Sequence, residues 1–189
     1  MKAYVMLAEG FEEIEALTVV DVLRRAKVET ATVAVGPLPP AHGAPRIVTG
    51  SHGIPVVADV GLEGVRPAAE DLLVLPGGMP GTKHLQESPL LAAMLERHRA
   101  ADGWLGAICA APSVPGRLGL LRGRRATSFP GYESELLGAS HATEPVVRDG
   151  RIVTSRGAGT ALAFALALVA ALQGQPAADA LSASMQVPQ

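Results

Sequence analysis

Short apolar runs recur along this chain, separated by stretches long enough for a helix and spaced like one. Ala3–Ala8 and Asp71–Leu75 lack the alternation of a strand with one wet face, so they fit strands buried on both sides. Val28–Val35 alternates and is β-branched, and Trp104–Ile108 is a further apolar run. Between the first two runs, Gly10-Phe11 makes a turn and a helix follows from about Glu12 to Ala26. Ala16, Val19, Val20, Leu23 and Ala26 fall on one side of it, and Arg24 and Arg25 lie where cations suit the helix dipole. Ser88-Pro89 opens a second helix to about Ala101, with Ser as N-cap and Pro at the first position. Gly157–Leu172 is an Ala/Leu-rich helix, and Pro176–Met185 a short closing one. Strands that alternate with helices require a parallel sheet covered on both faces, an α/β fold.

Smaller elements complete the reading. Gly36–Pro45 carries four prolines and is a loop. Arg46–Thr49 and Ile54–Ala58 form a hairpin or two edge strands around Gly50-Ser-His-Gly53. Arg125–Ser128 is a strand, and Asp149-Gly150 marks a two-residue hairpin between Val146–Arg148 and Ile152–Thr154.

The 189 residues suit one domain, expected to run over 1–189 without an internal boundary. With 3% aromatics, the core must be built from Ala, Val and Leu. A net charge of −2 gives no reason to expect nucleic acid or an anionic membrane as partner. The single cysteine excludes an intrachain disulfide and a multi-thiolate metal site within one chain, and suits a reducing compartment. The start turns acidic at Glu9, too soon for a signal peptide, and Ala158–Leu172 is shorter than the ~20 residues of a spanning helix. The expectation is a soluble, cytoplasmic protein.

The chemistry centres on Trp104-Leu-Gly-Ala-Ile-Cys-Ala-Ala-Pro112. It reads as a buried strand, a sharp turn at Cys109 and a helix from near Ala111. Such an elbow projects a nucleophile outward, and the new helix aims free N–H groups at it. Those groups and the dipole are expected to favour the thiolate. The alternative is a buried structural cysteine. In parallel sheets the site lies beyond the carboxyl ends of the strands, where three loops here carry special residues: Glu9–Glu15, Pro76–Gly81 and Cys109–Pro112. The backbone amides of Gly77 and Gly78 are candidates to hold a developing oxyanion; a tight turn is the plain alternative. Glu15 aligns with Val19, Val22 and Ala26, and a carboxyl buried there would keep its proton near neutrality. Glu12 aligns equally well with Ala16, Val19 and Leu23, so spacing leaves a tie. None of the histidines, His42, His52, His84, His98 and His141, lies beside Cys109 in sequence or at metal-ligand spacing, and each reads as a surface or loop residue. Arg156 sits at a strand end before a Gly-rich helix start, where an anion could bind.

Four motifs, Ala8-Glu-Gly-Phe-Glu-Glu-Ile-Glu15, Leu75-Pro-Gly-Gly78, Ala107-Ile-Cys-Ala-Ala-Pro112 and Thr154-Ser-Arg-Gly-Ala-Gly-Thr160, together resemble the ThiJ/PfpI superfamily. They sit closest to its Parkinson-disease protein deglycase branch and the bacterial relative YajL, over Met1 to about Leu172. The resemblance implies a flavodoxin-like α/β sandwich, a homodimer, and a nucleophilic, oxidation-sensitive Cys109. It implies that Glu15 is the protonated glutamate facing the sulfur, which breaks the tie. It maps the amides near the sulfur onto Gly78 and Ala110, and the motif arginine onto Arg156. No metal or organic cofactor is implied.

The departures are informative. Phe129 stands where the human relative has a histidine, as in YajL-like members, which leaves Glu15 as the candidate general base. Ala110 stands where the peptidases of the superfamily have a histidine, so peptidase activity is not expected. His52 stands in place of a second anion-binding arginine, so an anion site shared with Arg156 would be weaker and pH-dependent. The function implied is a glutathione-independent glyoxalase or deglycase acting on methylglyoxal, glyoxal or early adducts of proteins or nucleotides, yielding 2-hydroxy acids. The alternative is an oxidative-stress sensor or chaperone in which Cys109 becomes a sulfinate. A pseudo-enzyme is a third reading.

Overall fold

The computed structural model describes residues 1–36 and 45–188. In chain order the elements are β1 (Lys2–Leu7), α1 (Glu13–Arg25), β2 (Glu29–Ala34), β3 (Arg46–Thr49), β4 (Pro55–Ala58), β5 (Val60–Gly61), β6 (Leu72–Leu75), α2 (Gly81–Gln86), α3 (Pro89–Ala100), β7 (Trp104–Ile108), α4 (Ser113–Arg117), β8 (Arg125–Ala126), β9 (Ser140–His141), β10 (Val146–Asp149), β11 (Ile152–Ser155), α5 (Ala161–Gln173) and α6 (Gln175–Ser184). The central sheet runs β10-β11-β7-β6-β1-β2-β5 and is parallel except for the β10–β11 pair. This is the expected flavodoxin-like α/β architecture. The loop expected over Gly36–Pro45, and His42 with it, lies for residues 37–44 outside the described residues.

Alternation along the strands sorts side chains onto two faces. Ala3, Val5 and Leu7 of β1, with Leu72 and Val74 of β6, pack under α1 and α5 against Val19, Leu23, Phe164 and Leu168. Met6, Leu73, Leu75, Leu105 and Ala107 face the opposite way, against Leu91, Met94 and Leu95 of α3. A strand apolar on both faces therefore has a helix on each. Ser88 caps α3 as expected, its Oγ accepting from the Leu91 N–H at 3.3 Å. Among the described residues no helix is long and apolar enough to cross a membrane.

Several small elements differ from expectation. Strand β8 spans only Arg125–Ala126 and pairs with β9 outside the main sheet. The Thr127 N–H instead donates to Thr154 Oγ1 at 2.9 Å, and Phe129 N–H reaches the Cys109 carbonyl at 2.8 Å, so the chain leaves the strand path after two residues. The β10–β11 turn is one residue later than read: Asp149 pairs with Ile152, leaving Gly150 and Arg151 as the turn, with Gly150 at φ +59°. Helix α2 and strand β5 were not foreseen. His98 is not a surface residue but 4% exposed on α3, where Nε2 donates to the Trp104 carbonyl at 3.1 Å and burial lowers its pKa.

Candidate active site

Strand order changes direction at β1: β2 lies to one side of it and β6 to the other, with β7 beyond β6. The loops after β1, β6 and β7 therefore open side by side at the carboxyl edge of the sheet, the place where such folds hold ligands. They are also stitched together, because Glu12 N–H donates to the Gly77 carbonyl at 2.9 Å.

Cys109 follows β7 at φ +65°, a left-handed conformation costly for any residue with a Cβ. Its backbone is pinned on both sides: its N–H donates to the Ser155 carbonyl at 2.9 Å, and its carbonyl accepts from Phe129. The elbow leads through two tight turns into the short helix α4. The thiol is half-buried, with the N–H groups of Ala110 and Gly78 directed at it.

Glu15 lies on the side of α1 that faces this elbow and is fully buried. Its Oε2 accepts from the Gly77 N–H at 2.7 Å. Among the described residues its Oε1 is buried with no hydrogen-bond partner, and the carboxyl faces the Cys109 thiol. Gly77 is confined to glycine here, since a Cβ would sit 2.7 Å from Cys109 Cβ and 2.8 Å from Glu15 Oε2. Gly77 is thereby corrected as an oxyanion donor: its amide is committed to Glu15, which leaves Gly78 and Ala110.

Burial pushes the Glu15 carboxyl up to about 7, against the Gly77 amide and the nearby Cys109 thiol, which favour its charge. Burial also pushes the Cys109 thiol up to about 12, together with the neighbouring Glu15 carboxylate; the Ala110 and Gly78 amides pull the other way and lose. The expected bias towards a free thiolate is corrected accordingly. The helix that would supply the dipole is only five residues long, Ser113–Arg117, and a carboxylate faces the sulfur. A proton on Glu15 removes this repulsion and makes the acid a donor to sulfur.

Of the two glutamates that spacing leaves tied, Glu15 faces the sulfur and Glu12 turns away to the β3–β4 hairpin. There His52 Nδ1 donates to Glu13 Oε2 at 2.9 Å and lies 3.6 Å from Glu12 Oε1. An imidazole already facing two carboxylates is a poor seat for an anion. Arg156 Nη1 donates to the Thr143 carbonyl at 3.3 Å, and the two residues share no hydrogen-bond or ion-pair partner among the described residues. Gly157 is a neighbour the spacing did not single out. A Cβ there would lie 3.3 Å from the Phe129 ring and 4.0 Å from Cys109 Sγ, so the bare backbone helps to keep the mouth open. Phe129, 47% exposed and beside Gly157, gives the mouth an apolar side.

A family model described as the DJ-1/PfpI family matches residues 1–171. Protein DJ-1 homolog B of Arabidopsis thaliana is 40% identical over 172 residues, covering 90% of this chain and 38% of that protein. The chain thus spans about two fifths of the length of the Arabidopsis relatives it matches. A Caenorhabditis elegans protein named a glutathione-independent glyoxalase is 31% identical over 174 residues, 92% of this chain and 89% of that one. The structure of Toxoplasma gondii DJ-1, oxidized, superposes with a TM-score of 0.90 at 32% identity, covering 100% of this chain and 99% of that one.

Proposed function

The chain belongs to the DJ-1/PfpI family, and from that premise we propose that it is a cysteine-dependent glyoxalase or deglycase acting on small 2-oxoaldehydes or their early adducts. The observation that carries this reading is the fully buried Glu15, locked by the Gly77 amide against a thiol on a strained elbow. A carboxyl with a pKa of about 7 is matched to moving protons at neutral pH. Glu15 takes the thiol proton as sulfur bonds to the aldehyde carbon and passes it to the carbonyl oxygen, which the Gly78 and Ala110 amides steady. The product is a hemithioacetal, and Glu15 is a carboxylate again. Glu15 then moves a proton from that carbon to the neighbouring one while the hydroxyl proton passes to the ketone oxygen, giving the thioester of a 2-hydroxy acid. Water cleaves the carbon–sulfur bond and restores the thiol. The sum is one water added to the oxoaldehyde, with no external oxidant. The exposed Phe129 ring suits the substituent of the aldehyde.

Lactate formed from methylglyoxal without glutathione tests this, wild type beside Cys109→Ser. Catalytic lactate from wild type alone supports the reading; equal rates overturn it. Loss of aldehyde is no substitute, because any thiol or arginine consumes methylglyoxal reversibly.

One observation favours a second role as a peroxide sensor: the unsatisfied Glu15 Oε1 would have a partner in a sulfinate oxygen. Mass spectrometry after mild peroxide tests it, and a Cys109 that resists oxidation removes it. The chaperone role and the cytoplasmic setting belong to this same reading. We also propose a homodimer and a single domain. Ile14 and Leu17 on α1, with Ile47, Ile54 and Val57 on the hairpin, are exposed apolar residues that a second copy would cover. Sedimentation velocity checks the dimer.

A further inference from the structure

Behind the thiol site, the first turn of α1 meets the tip of the β3–β4 hairpin through a different set of groups. Glu12 and Glu13 approach His52, and one ligand atom from each lies within 4.8 Å of the other two. His52 Nδ1 is 2.9 Å from Glu13 Oε2 and 3.6 Å from Glu12 Oε1. Tetrahedral or octahedral coordination at metal–ligand lengths near 2.1 Å requires donor–donor edges of about 3.0–3.4 Å. The observed separations bracket that range. The Ser51 hydroxyl adds a fourth donor, 3.2 Å from Glu12 Oε2 and 3.3 Å from Glu13 Oε2.

The carboxylate at the centre of the cluster is oriented before any ion arrives. Glu13 Oε1 accepts from the backbone N–H groups of His52 at 2.8 Å and Ile54 at 3.4 Å, which leaves Oε2 turned to the imidazole. Such outer contacts fix the ligand atom in protein metal sites. Gly50 makes room for this arrangement, since a Cβ there would fall 2.2 Å from Glu13 Oε1. The charges are unbalanced. Glu12 and Glu13 side chains are only 15% and 6% exposed, yet among the described residues neither pairs with a lysine or arginine. His52 is 68% exposed on the single chain.

We propose that Glu12, Glu13 and His52 bind a first-row divalent transition cation such as Zn2+, with water or Ser51 completing the shell. Two carboxylates and one imidazole suit Zn2+, Ni2+ and Co2+ and disfavour Mg2+, which prefers all-oxygen shells. The ion would clamp the hairpin tip to the start of α1. Sequence spacing conceals the set, because Glu13 and His52 lie 39 positions apart.

Isothermal titration of the chelator-treated protein with Zn2+ is the test. Cys109→Ser serves as the parent, so that the thiol cannot be the ligand. One saturable site is expected, weakened by roughly tenfold or more in both His52→Gln and Glu12→Gln. These two side chains are not core residues, and unchanged circular dichroism shows that each variant is folded. Mg2+ should give no saturable heat. Absence of a Zn2+ site in the parent overturns the proposal, as does affinity unchanged by either substitution; His52 would then be the sole counter-charge to the two carboxylates.

Discussion

Glu13 and Glu15 stand two residues apart in the first turn of one helix, about 200° around it, and both are shielded, at 5% and 0% exposed. Their proton affinities nevertheless diverge, to about 2 for Glu13 and about 7 for Glu15. Burial pushes both up. At Glu13 it is overcome by the His52 ring and by the N–H groups of Glu13 itself, His52 and Ile54. At Glu15 only the Gly77 amide and the thiol oppose it, while the charge of Glu12 adds to it. The difference teaches that donors, not depth, decide whether a shielded carboxyl is a fixed charge or a mobile proton. One helix turn thereby holds an anchor on one side and a mobile proton on the other.

The largest expected effect is on turnover. Glu15→Gln should lower the rate of lactate formation by about 10²–10⁴-fold, the range typical for loss of an acid–base group. Glu13→Gln should keep the rate within about tenfold, since it does not touch the sulfur. Equal losses would erase the distinction between the two carboxyls.

Stability against pH tests the same divergence without substrate. Below the ordinary carboxyl value of 4.5, both folded and unfolded chains hold the Glu15 proton. As pH rises the unfolded chain ionises first, so stability drains away between 4.5 and about 7 and is flat beyond. The shift corresponds to about 3 kcal/mol. Glu15→Gln should remove this slope and be more stable than wild type at pH 8 in urea melts. A variant less stable at every pH would contradict the raised affinity.

Glu13 behaves in the opposite sense. Its contribution is present above 4.5 and lost as pH falls towards about 2. Glu13→Gln, which keeps an acceptor for the backbone amides but not the charge, should lose about 1–2 kcal/mol at pH 7 and show a shallower acid limb. Chelator-treated buffer keeps any bound cation out of this comparison. A variant as stable as wild type would demote the anchor.

How much of this was legible beforehand follows the same physics. Strands β1, β6 and β7 were read correctly because a strand covered on both faces needs an uninterrupted apolar run, and α1 and α3 because their periodicity and caps are local. Helix α2, Gly81–Gln86, is too short for periodicity and has no side-chain cap, so it left no signal. The pattern of α1 could not separate Glu12 from Glu15, because both align with Val19; the choice depends on where β6 and the hairpin lie. The elbow motif points to a thiolate for the same reason, since what holds the thiol proton is burial and then the Glu15 charge, which comes from a helix ninety-odd residues away. Pairing of Glu13 with His52 is likewise a tertiary fact.

The smallest effect should come from Ser51, whose single hydroxyl proton is shared between Glu12 Oε2 and Glu13 Oε2 at 3.2 and 3.3 Å. The residue is exposed, so water can replace it, and Ser51→Ala should cost no more than about 0.5 kcal/mol at pH 7. The acid limb of the stability curve should keep its place, because the donors that hold Glu13 ionised are the His52 ring and backbone amides. Urea melts from pH 2 to 8 check both statements. A limb displaced towards higher pH would move the anchor from the amides to the hydroxyl, and the contrast with Glu15 would then rest on one side chain rather than on the backbone of the hairpin.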